Sequence, residues 1–350
     1  MEASDFEPPR WLANHHLQSI LPSSQLRRAF VMRRAASLLA ASRDMLLDCG
    51  DQVQLLGHYS PQPQPTADLA LLIHGWEGSA ESRYVLSAAQ HLYARGFEIF
   101  RLNLRDHGPT HHLNEELFHS CRIAEVVGAV RAVQQRIPGR QLSLVGFSLG
   151  GNFALRVAAR APAAGIRLAQ VVAVCPVLDP EQTLISLEQG LWIYRRYFVH
   201  KWRASLLKKR SAWPLRYDFD GVLSQRGLTH LTEQLVLGYT EYPSLVEYLR
   251  GYSLVGDTLR GLEVPSRIIS AIDDPIIPAR DLARLAVSSR LTITTTSHGG
   301  HCGFLDSLGG PTWADREVHA TLASAHAACA ASAVADVVDL TLQPPNVEVN

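Results

Sequence analysis

The stretch Leu142-Ser-Leu-Val-Gly-Phe-Ser148-Leu-Gly-Gly-Asn-Phe-Ala-Leu-Arg156 decides the fold of this chain. An apolar, strand-forming run ends in Gly-x-Ser-x-Gly, and a helix-forming run follows at once. This pattern is typical of a nucleophile elbow, a sharp strand-to-helix turn that exposes a serine hydroxyl above a sheet. The helix N-terminus behind Ser148 supplies N–H groups and positive potential. The stretch therefore predicts a nucleophilic serine beside a site that stabilises a negatively charged oxygen.

Strand-like and helix-like segments alternate around this turn. The strand-like segments are Asp68–His74, Phe97–Leu104, Gln141–Gly146, Leu168–Cys175, Ser266–Ala271 and Leu291–Thr296. Continuous apolar strands separated by helices indicate a parallel sheet that is covered on both faces. The sequence therefore predicts an α/β fold with a mostly parallel central sheet and helices on both faces.

The alternation is interrupted after the strand that follows the elbow helix. A chain of 350 residues is long enough for one large α/β domain that carries an insertion at this point. We predict an N-terminal arm over 1–45, a first part of the core over 46–180, a helical cap over 181–245, a second part of the core over 246–328 and a disordered tail over 329–350.

The overall composition excludes several classes of protein. Lys and Arg number 33 and Asp and Glu also number 33, so no global field favours nucleic acid or an anionic membrane. Five cysteines without a Cys-x-x-Cys pair argue against a disulfide framework or a zinc ribbon. No apolar run reaches the roughly 18 residues of a membrane span, and the acidic N-terminus does not resemble a signal peptide. We expect a soluble, cytoplasmic protein.

A serine becomes a good nucleophile when a base lies within hydrogen-bonding distance and an acid orients that base. In folds with this elbow, the acid and then a histidine follow the serine along the chain. Asp274 follows the predicted strand Ser266–Ala271, and His301 follows the strand Leu291–Thr296. Both lie at carboxyl ends of strands, on the same edge of the sheet as Ser148. We predict Asp274 as the acid and His301 as the base.

Other residues compete for these roles. Asp273 and Asp179 are alternative acids, because each also lies near the end of a predicted strand. His298 is the alternative base, but it lies closer to the end of its strand. The spacing His298-x-x-His301-Cys302 also resembles a set of metal ligands, although no second His/Cys cluster completes a zinc site. We therefore expect neither a metal nor an organic cofactor.

Two backbone N–H groups are needed to bind the negatively charged oxygen that forms during acyl transfer. One is expected from Leu149, the residue after the nucleophile. The other is expected from the loop His74-Gly-Trp-Glu-Gly-Ser79, which follows a predicted strand, and we assign it to Trp76. The alternative is that His74 and Gly75 only end the strand.

Five motifs together resemble the YheT-like serine esterases of the α/β-hydrolase superfamily, also called AB hydrolase superfamily, family four. The motifs are Asn14-His-His-Leu-Gln-Ser-Ile-Leu-Pro22, His74-Gly-Trp-Glu-Gly-Ser79, Arg101-Leu-Asn-Leu-Arg-Asp-His-Gly108, Gly146-Phe-Ser-Leu-Gly-Gly-Asn152 and Asp273-Asp-Pro275. The resemblance implies an α/β-hydrolase fold, a triad of Ser148, Asp274 and His301, and hydrolysis of carboxylic esters. Relatives in this family include eukaryotic acylglycerol and phospholipid hydrolases with a membrane anchor, and we expect this chain to resemble the bacterial members, which have no anchor.

The predicted cap is rich in aromatic and basic residues. Residues 191–220 contain eight Lys or Arg, two Asp and eight aromatic residues. Leu191–Leu207 is expected to form a helix whose aromatic side, including Trp192 and Tyr197, shapes an acyl pocket above the serine. Its basic side is either simply solvated or contacts a membrane surface transiently. His107 is a further candidate for the pocket; the alternative is that its loop is structural, with Asp106 bonding to local backbone.

These residues predict a serine hydrolase that acts on short- to medium-chain esters or monoacylglycerols through an acyl-enzyme intermediate. The expected partner is a small ester or lipid substrate, and not a nucleic acid. An acyltransferase on the same triad is the first alternative, because His301 and Asp306 have the spacing His-x4-Asp. A binding protein on an inactive hydrolase fold is the second.

Overall fold

The computed structural model describes residues 2–4, 6–64 and 66–342, and in this part of the chain nine strands form one sheet. The strands are β1 (Glu2–Ala3), β2 (Arg43–Asp48), β3 (Gln54–Ser60), β4 (Asp68–Ile73), β5 (Glu98–Leu102), β6 (Gln141–Phe147), β7 (Gln170–Val174), β8 (Ser266–Ala271) and β9 (Leu291–Thr296). Their order is β1-β9-β8-β7-β6-β4-β5-β3-β2. The pairs that involve β2 and β3 are antiparallel and the others are parallel.

Helices cover both faces of this sheet. They are α1 (His15–Ile20), α2 (Gln25–Arg34), α3 (Ala36–Ala40), α4 (Arg83–Tyr93), α5 (Ile123–Arg136), α6 (Leu149–Ala158), α7 (Pro180–Gln189), α8 (Trp192–Ala212), α9 (Asp220–Leu223), α10 (Leu228–Tyr239), α11 (Leu245–Arg250) and α12 (Trp313–Leu342). Apolar residues of α5 and α6 pack on one face, and those of α2, α4 and α12 pack on the other. The predicted α/β fold with a mostly parallel sheet is confirmed.

The central strand β4 is apolar from Leu69 to Ile73 because both of its faces are buried. Leu69, Leu71 and Ile73 belong to the core on one face, whereas Ala70 and Leu72 belong to the core on the other. Successive side chains of a strand point to opposite faces. Because both faces are covered by helices, both sets must be apolar, and the strand has no polar side to present to solvent.

The C-terminal helix α12 runs from Trp313 to Leu342 and so includes residues 329–342 of the predicted tail. This segment is rich in alanine, which has the highest intrinsic helix propensity. The rest of the predicted tail, residues 343–350, lies outside the described residues.

Helices α7 to α10 lie between β7 and β8, where the cap was expected. The longest of them, α8, carries Arg195, Arg196 and Lys201. Over residues 2–4, 6–64 and 66–342, no helix combines the length and the apolar character needed to cross a bilayer.

A buried lysine ties the cap to the core. Lys209 of α8 is fully buried, and its Nζ donates to Asp106 Oδ1 at 2.9 Å and to the backbone oxygen atoms of Asn114 and Glu116 at 2.6 and 3.0 Å. Asp106 Oδ2 accepts the Phe118 N–H at 2.8 Å. Asp106 therefore bonds to loop backbone, as the structural alternative anticipated, but it also anchors the cap.

We expect Lys209→Met to destabilise the protein by about 3–5 kcal/mol, because it leaves the Asp106 carboxylate buried without a counter-charge. Chemical denaturation followed by circular dichroism measures this loss. The matched control is the double variant Lys209→Met/Asp106→Asn, which removes both charges and should recover a large part of the stability. A Lys209→Met protein within about 1 kcal/mol of wild type would contradict the importance of this anchor.

Candidate active site

The nucleophile elbow forms because the backbone around Ser148 is crowded. Ser148 links β6 to α6 with a left-handed φ of 53°, a conformation that is uncommon for residues other than glycine. A Cβ atom on Gly146 would lie 2.2 Å from the Gly150 oxygen, and one on Gly150 would lie 2.3 Å from the Ile73 oxygen. Only glycine fits at these two positions, so the Gly-x-Ser-x-Gly pattern follows from the tight turn against β4.

The structure brings together the serine, histidine and aspartate that the sequence singled out. His301 Nε2 lies 2.9 Å from Ser148 Oγ, and His301 Nδ1 lies 2.8 Å from Asp274 Oδ2. The other carboxylate oxygen, Asp274 Oδ1, accepts the N–H groups of Ile276 and Ile277 at 2.8 and 3.0 Å. These two bonds fix the carboxylate so that one oxygen faces the imidazole. The arrangement can remove a proton from the serine hydroxyl.

The competing acids and base lie elsewhere. Asp273 Oδ1 accepts the Gly300 N–H at 2.8 Å, and its other oxygen lies 3.7 Å from His298 Nδ1. Asp179 caps the N-terminus of α7 and forms an ion pair with Arg284. Asp273 therefore supports the loop that carries the histidine, and Asp179 stabilises a helix of the cap.

The charge of Asp274 controls the protonation of His301. Burial opposes protonation of His301, but the neighbouring Asp274 carboxylate outweighs it, with a further contribution from Cys302, and raises the pKa of His301 to about 9. The Asp274 side chain is 2% exposed and that of His301 is 13% exposed, so little water screens the interaction. The site is therefore suited to stabilise an imidazolium ion.

The loop His74–Ser79 lies close to the serine. A Cβ atom on Gly75 would lie 3.2 Å from Ser148 Cβ, which shows how closely the two backbones approach. The Gly75 N–H donates to the Tyr84 hydroxyl at 2.9 Å, whereas the Trp76 N–H has no hydrogen-bond partner among the described residues. Leu149 is the first residue of α6, so its N–H precedes the first hydrogen bond within the helix. The N–H groups of Trp76 and Leu149, the two predicted donors, thus lie near the serine and are available to bind an oxyanion.

His107 supports this loop. It is 3% exposed, its Nδ1 donates to the Arg105 oxygen at 2.7 Å, and its Nε2 accepts the Glu77 N–H at 3.2 Å. Burial lowers the pKa of His107 to about 4, so the ring is neutral at physiological pH. Because the protein uses both ring nitrogens, His107 has the structural role that was the alternative to the predicted role in the pocket.

Aromatic residues of the cap pack on the tryptophan of this loop. The Trp76 ring stacks on Phe198 with centroids 5.1 Å apart and meets Trp202 edge-to-face at 4.9 Å. The predicted pocket residues Trp192 and Tyr197 are instead 60% and 48% exposed. Phe198 and Trp202 are one helical turn apart, and this spacing was the signal in the sequence that could have identified them.

The N-terminal arm holds the histidine loop, a role that the sequence did not reveal. The His301 N–H donates to Ser19 Oγ at 2.8 Å. The Gln18 amide donates to the Leu305 oxygen at 2.9 Å and accepts the Leu305 N–H at 2.7 Å. Both arm residues belong to the motif Asn14–Pro22, which contributed to the family resemblance but suggested no chemistry.

One group of candidate metal ligands lies beside the triad. Within the described residues, Cys175, His301 and Cys302 place their ligand atoms within 4.8 Å of one another. His298, part of the metal-like spacing in the sequence, is not in this group. Two sulfurs and one imidazole suit a thiophilic cation such as Zn²⁺, but binding would occupy a ring nitrogen of His301, and both ring nitrogens already contact Ser148 or Asp274.

Several known proteins are similar to this chain over most of its length. The family model described as alpha/beta hydrolase fold matches residues 70–308. The protein named "Putative esterase YheT" of Escherichia coli (strain K12) is 24% identical over 307 residues, which are 87% of this chain and 88% of YheT. ABHD2 of Danio rerio, named a monoacylglycerol lipase, is 25% identical over 255 residues, which are 68% of this chain and 60% of ABHD2. The chain thus spans less than two thirds of that second relative.

A solved structure shares the same fold. Est1E from Butyrivibrio proteoclasticus with bound ferulic acid has a TM-score of 0.53 and 16% sequence identity, over 81% of this chain and 99% of Est1E. At this identity the likeness concerns the fold alone. Together these matches confirm the resemblance that the sequence motifs indicated.

Proposed function

Since this chain belongs to the alpha/beta hydrolase fold family, we propose that it is a serine hydrolase of carboxylic esters. The single observation that carries the proposal is the hydrogen-bonded chain from Ser148 through His301 to Asp274, with distances of 2.9 and 2.8 Å. A nucleophile, a base and an acid in this geometry are the requirements of acyl transfer to serine.

The first half of the reaction acylates the serine. Ser148 Oγ attacks the ester carbonyl while His301 Nε2 takes the hydroxyl proton. The N–H groups of Trp76 and Leu149 bind the oxygen that becomes negative, and Asp274 stabilises the imidazolium. The intermediate then collapses, and His301 donates its proton to the departing alcohol.

The second half releases the acid. A water molecule takes the place of the alcohol, and His301 removes a proton from it as the water attacks the acyl-enzyme. The same two N–H groups bind the second oxyanion. Ser148 then leaves as the alcohol, and its proton comes from His301. The cycle therefore needs no metal or organic cofactor.

The aromatic cluster beside the oxyanion loop favours an apolar acyl group. Trp76, Phe198 and Trp202 pack together next to the serine, and such surfaces bind hydrocarbon chains through burial of apolar area. The names of YheT and ABHD2 point in the same direction. We therefore infer that the substrates are short- to medium-chain esters or monoacylglycerols. We propose that they are hydrolysed in the cytoplasm, and that the basic side of the cap contacts a membrane surface transiently.

A graded series of substrates tests this proposal. Purified protein is assayed with p-nitrophenyl esters from acetyl to palmitoyl and with the matching monoacylglycerols. We expect the highest kcat/KM between butyryl and octanoyl chains and hydrolysis of the corresponding monoacylglycerols. No turnover of any of these esters would contradict the proposal and would favour a binding protein.

Adding glycerol as a competing acceptor distinguishes hydrolysis from acyl transfer. We expect free acid to remain the main product, because no group in the described part of the chain has been identified that would favour an alcohol over water. Asp306, whose spacing from His301 suggested an acyltransferase, forms an ion pair with Arg316 instead of contacting the triad. A predominance of glyceryl ester would assign the protein to the acyltransferases.

The raised pKa of His301 predicts an alkaline pH optimum. His301 acts as a base only when it is neutral, and the Asp274 carboxylate keeps it protonated up to a pKa of about 9. We expect kcat/KM to rise by about 50-fold between about pH 7 and pH 9, as the neutral fraction of the imidazole increases. Rates corrected for spontaneous hydrolysis measure this profile. A profile that is flat over this range would show that another group limits the rate.

A further inference from the structure

Two cysteines lie beside the proposed base and take no part in the proposed chemistry. Cys175 follows strand β7, and Cys302 follows His301 directly along the chain. The Cys302 N–H donates to Cys175 Sγ at 3.3 Å. The two sulfur atoms and a His301 ring nitrogen lie within 4.8 Å of one another. All five cysteines of the chain are free thiols, so this pair is in its reduced form.

The backbone holds the two thiols against each other. Cys175 has a φ of 45° and Cys302 a φ of 58°, both in the left-handed region that residues with a side chain seldom adopt. Such conformations persist only where the surrounding structure enforces them. Here the Cys175 N–H bonds to the Ile269 oxygen at 2.7 Å, and the Cys302 thiol donates to the Val174 oxygen at 3.5 Å. The end of β7 and the histidine loop are thereby fixed with their sulfurs facing one another.

The two thiols differ in accessibility. Cys302 is half-buried, whereas Cys175 is buried behind it. A hydroperoxide therefore reaches Cys302 first, and the Cys175 sulfur already lies beside it. An accessible thiol next to a second thiol is the arrangement found in cysteines that are oxidised and then resolved as disulfides.

We propose that Cys302 and Cys175 form a redox modification site, which a hydroperoxide converts into a disulfide that removes His301 from Ser148. This proposal assigns a regulation to the proposed active site. Its effect on turnover rests on the proposed function, whereas formation of the bond does not.

The oxidation proceeds in two steps. The Cys302 thiolate attacks the terminal oxygen of the hydroperoxide, so that an S–O bond forms, the O–O bond breaks, and the departing alkoxide or hydroxide is protonated. Cys175 then attacks the sulfur of the Cys302 sulfenic acid, an S–S bond forms, the S–O bond breaks, and water leaves with the Cys175 proton. In total, two thiols lose two electrons and two protons, and the hydroperoxide is reduced to water and an alcohol, or to two waters.

The new bond would displace the base. A disulfide brings the two sulfur atoms to about 2.05 Å, which is closer than thiols approach without a bond. Cys302 must therefore move toward Cys175, and His301 is its direct neighbour in the chain. A displacement of roughly 1 Å at a catalytic group can lower a rate by about 100-fold. Reduction by a thiol would restore the original contact.

The experiment treats reduced, full-length protein with hydrogen peroxide and follows both the covalent state and the activity. Free thiols are alkylated under denaturing conditions, and peptide mapping by mass spectrometry identifies the linked pair. We expect a Cys175–Cys302 peptide, and at least about tenfold loss of p-nitrophenyl butyrate hydrolysis that dithiothreitol reverses.

Single variants identify the thiols responsible. Cys175→Ser should keep its basal activity and lose the reversible inactivation, and Cys302→Ser should form no disulfide at this position. Cys329→Ser, which alters an exposed thiol, and Cys121→Ser are the matched controls and should respond to peroxide as wild type does. If Cys175→Ser fails to fold, Cys302→Ser alone tests formation of the bond.

Three results would overturn the proposal. The disulfide is absent if peptide mapping finds both thiols free, or linked elsewhere, after peroxide treatment. The pair does not control the site if the disulfide forms while full activity remains. The inactivation has another origin if Cys175→Ser is inactivated by the same dose as wild type. If the protein proves to have no esterase activity at all, the mapping still decides whether the bond forms, so failure of the proposed function is recognised separately.

Discussion

Replacing Ser148 with alanine is expected to lower kcat/KM for p-nitrophenyl butyrate by about 10⁶-fold. The hydroxyl is the only group of the site that forms a covalent bond to the acyl carbon in the proposed mechanism. His301 and Asp274 remain in place in the variant but have no nucleophile to activate. The oxyanion donors alone can provide only the residual acceleration that water attack allows.

The fold should tolerate this substitution. Ser148 Oγ makes one hydrogen bond, to His301, and the left-handed backbone strain is the same for alanine as for serine. We expect an unfolding free energy within about 1 kcal/mol of wild type. A fluorophosphonate probe should label wild type and not Ser148→Ala.

Ser211→Ala is the control for the nucleophile, since Ser211 is an exposed serine on the cap helix whose hydroxyl bonds only within that helix. It should keep full activity and full labelling. Retained hydrolysis in a folded Ser148→Ala protein would show that another residue is the nucleophile.

The features that the sequence predicted well are those that depend on short-range pattern. Strands β8 and β9 have the predicted bounds, Ser266–Ala271 and Leu291–Thr296, because each is rich in β-branched residues and lies between turn-forming residues. The elbow was equally clear, since the crowded backbone leaves glycine as the only choice beside the serine. The positions of the aspartate pair and of His301 near the elbow could be predicted for a related reason, because the ends of β8 and β9 lie on the same edge of the sheet as the elbow.

The features that were missed depend on contacts between distant parts of the chain. Strand β1 has only two residues and forms by pairing with β9, so it leaves no periodic signal. The contact between Ser19 and His301 joins residues on opposite ends of the chain. Lys209 looked like one of many basic residues of the cap, and only its packing against Asp106 shows that it is buried. No local propensity distinguishes such a lysine from its exposed neighbours.

The sequence also could not distinguish between the two neighbouring aspartates, because their roles depend on contacts with distant residues. Asp273 and Asp274 are adjacent and follow the same strand, so sequence order alone could not separate them. In the structure the turn after β8 directs the Asp274 carboxylate to His301 through the N–H groups of Ile276 and Ile277, while Asp273 bonds to Gly300. The two side chains therefore have different expected effects when they are changed.

Asp274→Asn is expected to lower kcat/KM by about 10⁴-fold. Oδ1 can still accept the two backbone N–H groups, so the new amide nitrogen takes the position that faces His301 Nδ1. The amide is a donor there, which forces Nδ1 to be the acceptor and places the imidazole proton on Nε2. In that tautomer Nε2 cannot accept the Ser148 proton. Loss of the negative charge also lowers the pKa of His301, so the acid limb of the residual activity should move to lower pH.

Asp273→Asn and Asp179→Asn are the matched controls for the acid. Asp273 bonds to Gly300 in the loop that carries His301, and it affects the imidazole only through that loop. Asp179 caps helix α7 and pairs with Arg284. We therefore expect kcat/KM to fall by at most about tenfold in either variant. Steady-state kinetics on p-nitrophenyl butyrate over a range of pH measures both the loss and the movement of the acid limb. The movement is the decisive readout, because a variant that only loosened the fold would lose activity without shifting the pKa of the base. A larger loss of activity in Asp273→Asn, together with the shift of the acid limb, would show that Asp273 is the acid of the triad. The contact of Asp274 with the imidazole would then have only a structural role.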